Sequence, residues 1–208
     1  MTTARIAAVI LAGGKGERLG GVIKANLTIG GVRLIDRVTR ALASSVSTIL
    51  VAHGGVDPKA LALRPEHIAI PDLASDYGGP LAGLAAAVAW CGAQPRSPEY
   101  LISVAVDTPF FPDDFVSRAL AAIGTSHPAV VARYGGQDYP TDAIWRLASV
   151  GALPDQVLTQ AAPRSLWRFA AELGAGRLDW PQTPAGDPFA SANTPDDVRA
   201  LEARAAAE

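Results

Sequence analysis

Apolar and polar residues follow one another along this chain in blocks that predict strands and helices in turn. Arg5–Leu11 is a continuous apolar run rich in isoleucine and valine. Such a run is typical of a central parallel strand that is buried on both faces. Further strands are predicted at Ser47–Val51, His67–Ile70, Tyr100–Val106, Ala129–Ala132 and Thr141–Leu147.

Helices are predicted between these strands, because apolar residues recur there at intervals of three and four. Asp57–Leu63 is a further, short helix candidate. The last helix is predicted to begin at Thr194, which can cap it, while Pro195 suits the first helical position and Asp197 completes a capping box. The apolar stripes are Leu34, Ile35, Val38, Ala41 and Leu42, then Leu81, Leu84, Ala85 and Val88, then Phe115, Val116, Ala119 and Leu120.

The alternation of strands and helices predicts the fold class. It favours an α/β fold with a mostly parallel central sheet, in one domain that spans residues 1–208. The stretch after Leu147 is less regular, and it leaves room for an antiparallel hairpin or an edge strand.

The fold class predicts where a ligand binds. In an open α/β sheet, ligands lie beyond the carboxyl ends of the strands. The loops after Leu11, Ile70 and Val106 are therefore the candidate site. Two of these loops begin or nearly begin with an acid, Asp72 and Asp107, and the other is rich in glycine.

Composition narrows the function classes. The 208 residues are 49% hydrophobic, which is enough for a substantial core, and their formal net charge is −2. The chain has no basic block, so binding to nucleic acid through phosphate electrostatics is not expected. The single Cys91 excludes a disulfide framework, and its apolar surroundings indicate a structural cysteine.

No membrane span is expected, because the most apolar stretch, Pro80–Cys91, is too short to cross a bilayer. The apolar run near the N-terminus leads directly into Gly13 and Gly14. We therefore interpret it as a strand and not as a signal peptide. The expected location is the cytoplasm.

The glycine-rich loop lies in Val9–Asn26, VILAGGKGERLGGVIKAN. Two familiar phosphate-binding motifs fail there. The dinucleotide fingerprint has Leu19 in place of its third small residue, and the P-loop pattern has Val22 where it requires lysine. The loop still offers backbone N–H groups, open glycines and basic side chains. A solvated surface turn is the alternative, but the position directly after the first buried strand favours a nucleotide site.

Four segments of the chain carry a resemblance: LAGGKGERLGGVIK, DLASDYGGPLAG, VDTP and FASANTP. In this order they resemble the signature segments of the molybdenum cofactor guanylyltransferase (MobA) family of nucleotidyltransferases. Cytidylyl- and uridylyltransferases share the first segment, whereas its combination with GGPLAG and ANTP is more specific. The resemblance covers almost the whole chain, and it implies a three-layer Rossmann-like nucleotidyltransferase fold.

The resemblance also implies a reaction, its substrates and a metal ion. The terminal phosphate of molybdopterin attacks the α-phosphate of GTP, pyrophosphate leaves, and the guanine dinucleotide cofactor forms. Asp107 would bind Mg²⁺, Lys24 would neutralise phosphate charge, and Arg18 would clamp the pyrophosphate. Transient contacts with molybdenum cofactor biosynthesis proteins or recipient molybdoenzymes are expected.

The nucleotide site that the resemblance implies contains more residues than Asp107, Lys24 and Arg18. Each polar member has a simpler explanation: Lys24 as a solvated lysine, Asp107 as a cap, Asp72 as a turn acid, and Asn193 as a turn residue before the last helix. Gly79 and Pro80 could equally form a turn. The full implied set is Leu11, Ala12, Gly13, Gly14, Lys24, Asp72, Gly79, Pro80, Asp107 and Asn193.

Two departures from the family pattern leave alternatives open. Ile23 replaces the acid that usually precedes the loop lysine, and Ser191 replaces the first asparagine of the last motif. A related enzyme that uses CTP, or that acts on another phosphorylated acceptor, is one alternative. A nucleotide-binding protein without turnover is another, although the presence of Lys24 and Asp107 argues against it.

Overall fold

The computed structural model describes residues 5–14, 16, 19–73 and 77–207. Within these ranges, the strands are β1 Ile6–Leu11, β2 Thr28–Ile29, β3 Val32–Arg33, β4 Thr48–Ala52, β5 His67–Ile70, β6 Tyr100–Ala105, β7 Ala129–Tyr134, β8 Gln137–Arg146 and β9 Gly176–Trp180. The α-helices there are α1 Leu34–Ala43, α2 Pro80–Gly92, α3 Phe115–Ile123, α4 Leu147–Val150, α5 Leu153–Leu158, α6 Leu166–Glu172 and α7 Pro195–Ala205. Lys24–Asn26 and Pro58–Leu61 form 3₁₀ turns.

Seven of the described strands form one sheet, in the order β5-β4-β1-β6-β8-β7-β9. Strand β1 pairs in parallel with β4 and β6, and β7 pairs in parallel with β9. Only β8, among these seven, runs antiparallel to its neighbours. The predicted α/β class with a mostly parallel sheet is therefore confirmed. Strands β2 and β3 form a separate two-stranded ribbon.

The sheet is covered by helices on both faces, which gives three layers. Residues of β1 divide by alternation: Ala7 and Val9 pack in one core cluster with α2, α5 and α6. Ile6, Ala8 and Ile10 pack in the other cluster, with α1 and α3. This explains why β1 is an uninterrupted apolar run.

Cys91 lies in the first core cluster and is fully buried, as predicted for a structural cysteine. Burial raises the pKa of its thiol to about 11. None of the helices in the described ranges is long and apolar enough to cross a membrane.

The region around β8 differs from the prediction. The antiparallel strand lies before Leu147 and not after it, and it begins at Gln137, four residues earlier than predicted. Gly135 and Gly136, both at positive φ (57° and 84°), form the turn between β7 and β8. A two-residue turn of this kind joins antiparallel strands directly, so no helix lies between β7 and β8. After Leu147 follow three helices and β9, which is the expected edge strand but is parallel to β7.

The segment before α7 is anchored in the core by Phe189. Its ring is fully buried and lies 5.3 Å from the ring of Tyr139 and 5.4 Å from that of Trp180, between centroids. The predicted start of α7 is confirmed, since Thr194 and Asp197 form the capping box. Phe189 and the cap together fix the residues between them, which reach the candidate site.

Phe189→Ala should lower the free energy of unfolding by about 3–5 kcal/mol, because it opens a cavity among aromatic rings. Urea denaturation followed by circular dichroism measures this change. The control is Leu158→Ala, whose side chain is 53% exposed and which should change stability by less than about 0.5 kcal/mol. Equal losses in the two variants would contradict this account of the anchor.

Candidate active site

A cavity of about 280 Å³ opens at the carboxyl edge of the parallel strands, where loops after β1, β5 and β6 meet the start of α2. Its position follows from the strand order, because β1 lies between β4 and β6. Most of the predicted site residues line it. The lining residues are Leu11, Gly13, Gly14, Lys24, Ala52, Asp72, Gly79, Pro80, Gly83, Ala105, Val106, Asp107, Thr141 and Ser191.

Two predicted site residues do not line the cavity, and a third is not among the residues that the structure describes. Ala12 is buried beneath the cavity, and its N–H donates to the carbonyl of Ala52 at 2.8 Å. Asn193 does not line the cavity, but its side chain contacts Lys24. Arg18 lies outside the residues that the structure describes, as do Lys15 and Asp76.

The side chain of Lys24 connects three segments of the site. Its Nζ donates to Asp107 Oδ2 and to Asn193 Oδ1, each at 2.6 Å. The side chains of Lys24 and Asp107 are only 13% and 15% exposed, so water screens this ion pair weakly. The lysine stem passes over Gly14, whose missing Cβ would lie 3.7 Å from Lys24 Cδ. The ammonium therefore bridges the glycine loop, the end of β6 and the segment before α7.

Asp107 is held by its backbone as well as by its side chain. Its carbonyl accepts the N–H of Ala192 at 2.9 Å, which ties the segment before α7 to the end of β6. The described residues contain no cluster of three or more histidine, cysteine or acidic side chains that could hold a metal ion. Mg²⁺ does not need one, because it is bound through one or two carboxylates together with substrate phosphates and water. A single carboxylate that lines a nucleotide-sized cavity fits this donor set.

The first part of the cavity wall depends on two glycines in contact. Gly13 and Gly54 pack so closely that a Cβ on Gly54 would lie 2.8 Å from Gly13 Cα. The N–H of Gly54 donates to Asp72 Oδ1 at 3.2 Å, which fixes the acid at the cavity wall. Burial raises the pKa of Asp72, and this hydrogen bond opposes the rise. The sequence offered Gly54 no signal, because its contact with Gly13 depends on the pairing of β1 with β4.

The two departures from the family pattern take different positions. Ile23 is partly buried and packs against the second core cluster, where an acid would lie against apolar side chains. The apolar residue beside Lys24 is thus explained by packing. Ser191 lines the cavity, and its hydroxyl donates to the carbonyl of Phe189 at 3.4 Å.

Asp142 is a residue of the site region that the sequence analysis missed. It lies in β8, is 1% exposed, and accepts the N–H of Ala105 at Oδ1 over 3.3 Å. Its Oδ2 lies 3.1 Å from the hydroxyl of Thr141, which lines the cavity. Burial, assisted by the negative charges of Asp107 and Asp187, raises the pKa of Asp142 to about 8. An acid among the apolar residues of a predicted strand was the available signal.

Fold and site together define a nucleotidyltransferase of the α/β class. The sequence pattern of the family described as MobA-like NTP transferase domain matches residues 8–176. The chain belongs to this family, and the resemblance found in its sequence is confirmed.

The names of individual proteins that are similar to this chain support this family assignment. The chain is 40% identical to the molybdenum cofactor guanylyltransferase of Rhodobacter capsulatus over 201 residues, which cover 96% of each chain. Its fold is similar to that of molybdopterin-guanine dinucleotide biosynthesis protein A from Archaeoglobus fulgidus, with a TM-score of 0.73, 20% identity, and coverage of 98% and 100% of the two chains. It is also similar to Rv0371C of Mycobacterium tuberculosis, solved in complex with manganese, with a TM-score of 0.68, 15% identity, and coverage of 97% and 100%.

The buried acid predicts a pH dependence of stability. The pKa of Asp142 is 3.8 for an ordinary aspartate and about 8 in the folded chain, so the folded state binds more protons between these values. The contribution of Asp142 to stability is complete below pH 3.8 and is lost as the pH rises towards 8. Asp142→Asn removes this loss. Its melting temperature relative to wild type should rise by at least about 3 °C between pH 5 and pH 8.

Differential scanning calorimetry at both pH values makes this measurement. Leu158→Ala is the control, because it removes no titratable group, and its difference from wild type should not change with pH. A difference for Asp142→Asn that stays constant from pH 5 to pH 8 would show that Asp142 is ionised in the folded protein like an ordinary aspartate.

Proposed function

We propose that the chain is a single-domain enzyme that transfers GMP from GTP to the terminal phosphate of molybdopterin and releases pyrophosphate. The observation that carries the proposal is the pairing of Lys24 with Asp107 at 2.6 Å beside a cavity whose other walls are the family's nucleotide segments. The 40% identity to a molybdenum cofactor guanylyltransferase over 96% of both chains supports the choice of substrates. The cytoplasmic location and the contacts with cofactor-handling proteins expected from the sequence belong to this proposal.

The proposed reaction asks the protein mainly for positioning and charge neutralisation. An oxygen of the molybdopterin phosphate forms a bond to the α-phosphorus of GTP, and the bond from that phosphorus to the bridging oxygen breaks. The electron pair leaves with pyrophosphate. Lys24 is placed to balance the charge of the phosphates, since its ammonium has three donors and little exposure to water. The role predicted for Arg18 stays a prediction.

We assign the guanosine to the other side of the cavity. Leu11, Gly13 and Gly14 offer backbone at the end of β1, and Gly79 and Pro80 form the wall at the start of α2. Asp72 lies on this side with Oδ1 bonded to Gly54. A carboxyl oxygen accepts the N–H groups of a guanine edge, so Asp72 is the side chain that we place against the base.

Magnesium is the metal ion that we propose for this site. Asp107 would hold it, with the remaining ligands supplied by phosphate oxygens and water. When bound, such an ion stabilises the charge that develops on phosphate oxygens during transfer. The manganese complex of Rv0371C makes Mn²⁺ a suitable probe for the same position.

The proposal predicts pyrophosphate release only when the purified chain receives GTP, molybdopterin and Mg²⁺ together. A coupled pyrophosphate assay with GTP, CTP and ATP in turn measures it. Release with CTP and not GTP would indicate a cytidylyltransferase. GTP binding without release would indicate a binding protein without turnover, and either result would contradict the proposal.

Asp107→Ala should reduce the rate of this release by at least about 100-fold, because it removes the proposed metal ligand. The fold should persist, as checked by the far-UV circular dichroism spectrum. Asp113→Ala is the control, since this exposed acid lies six residues further along and should leave the rate within about twofold of wild type. A variant at Asp107 with the wild-type rate would refute the metal assignment.

A further inference from the structure

We propose that Asp142 is a positioning residue for the transfer, and that it acts by holding the hydroxyl of Thr141 and the end of β6 in place beside Asp107. The inference rests on the proposed function, because it concerns the same cavity and the same reaction. It adds a residue to which neither the sequence signatures nor the family's loop segments assign a role. The group that Thr141 would bind is a hydrogen-bond donor on a substrate.

The backbone of β6 needs an acceptor near its end. The N–H of Val106 donates to Leu11, so the N–H of the preceding Ala105 points the other way, towards β8. Pairing between β6 and β8 ends at Ser103 and Ala143, and the register of β8 with β7 shifts at a bulge next to this point. The regular pairing of β6 with β8 therefore provides no backbone carbonyl for the Ala105 N–H.

Asp142 supplies the missing acceptor. Its Oδ1 takes the Ala105 N–H at 3.3 Å, and this contact ends β6 two residues before Asp107. A buried N–H without a partner costs about 1–3 kcal/mol, so the acid stabilises one backbone path at the strand end. Because Asp107 follows directly on that path, its position depends on Asp142.

Asp142 also contacts the hydroxyl of Thr141. Asp142 is 1% exposed and does not line the cavity, whereas Thr141 does. With Oδ1 bonded to Ala105, the remaining oxygen Oδ2 lies 3.1 Å from the Thr141 hydroxyl. Asp142 therefore cannot touch a substrate in this structure, and it can reach one only through its neighbour.

The Thr141 hydroxyl donates this second hydrogen bond to Oδ2 of Asp142. Its proton is therefore directed at Asp142, and its oxygen keeps lone pairs that accept a hydrogen bond from a group in the cavity. Asp142 in this way sets the direction in which Thr141 can bind a substrate.

The alternative is that Asp142 only fills space in the core. Its neighbours Ala143, Ile144 and Trp145 are all fully buried and apolar, so a packing role would be filled better by an apolar side chain. A carboxyl group in this strand is costly unless both oxygens are bonded, and here both are. A role in packing alone would leave the two hydrogen bonds of Asp142 unexplained.

The experiment compares steady-state kinetics of wild type, Asp142→Asn, Asp142→Leu and Thr141→Val with GTP, molybdopterin and Mg²⁺. Asparagine can keep both contacts, since its oxygen can accept from Ala105 and its amide can bond to the hydroxyl oxygen of Thr141. We expect kcat of Asp142→Asn to stay within about threefold of wild type. Asp142→Leu and Thr141→Val should each lose at least about tenfold in kcat, with KM for GTP changed less than threefold.

Coupling between the two residues gives a sharper readout. Because Asp142 acts partly through Thr141, the double variant Asp142→Leu with Thr141→Val should lose less than the product of the two single losses. Losses that multiply fully would overturn the inference. So would a wild-type kcat in folded Asp142→Leu, or an Asp142→Asn variant as slow as Asp142→Leu.

The remaining outcomes are also decisive. If Asp142→Leu fails to fold, Thr141→Val still tests the inference, and a wild-type kcat in that variant overturns it. If wild type transfers no nucleotide, the proposed function is refuted, and hydrogen exchange of the Ala105 N–H separates the two claims. The inference then fails if this exchange is equally slow in wild type and in folded Asp142→Leu.

Discussion

The ammonium group of Lys24 is the contact on which the site depends. It joins residues 83 and 169 positions away in sequence, Asp107 and Asn193, within hydrogen-bonding distance. Neither partner can reach it unless β1 and β6 are adjacent and the segment before α7 has folded against the core. Removing one member of a partly buried ion pair leaves the other uncompensated, at a cost of up to about 3–5 kcal/mol when burial is complete. The site is therefore complete only when these parts of the fold are in place.

The parts of the fold that serve this contact are distributed over the chain. The glycine loop brings the lysine over Gly14, the end of β6 presents Asp107, and the buried ring of Phe189 holds the segment that carries Asn193. The hydrogen bond from Ala192 to Asp107 closes the arrangement. Asp142 lies behind this group as a second acid, and it is buried.

Much of the fold could be predicted from the sequence, because β1, β4, β5 and β6 are apolar runs and the helices between them have apolar stripes. The prediction found the second part of β8 but missed its start and its antiparallel direction, because polar residues from Gln137 onwards hide the first part of the strand. The rule that ligands bind at the carboxyl ends of strands placed Asp72 and Asp107 in one region. It could not supply the contact between Lys24 and Asn193, or the close approach of Gly13 to Gly54. Both depend on strand order, which local patterns do not contain.

A crystal structure of the protein with a non-hydrolysable GTP analogue and Mn²⁺, with the metal located by anomalous scattering, tests the central claim most directly. We expect the base to lie between Gly13 and Pro80, the phosphates to contact Lys24, and manganese to be bound to Asp107. A nucleotide outside this cavity, or manganese bound without Asp107, would contradict it.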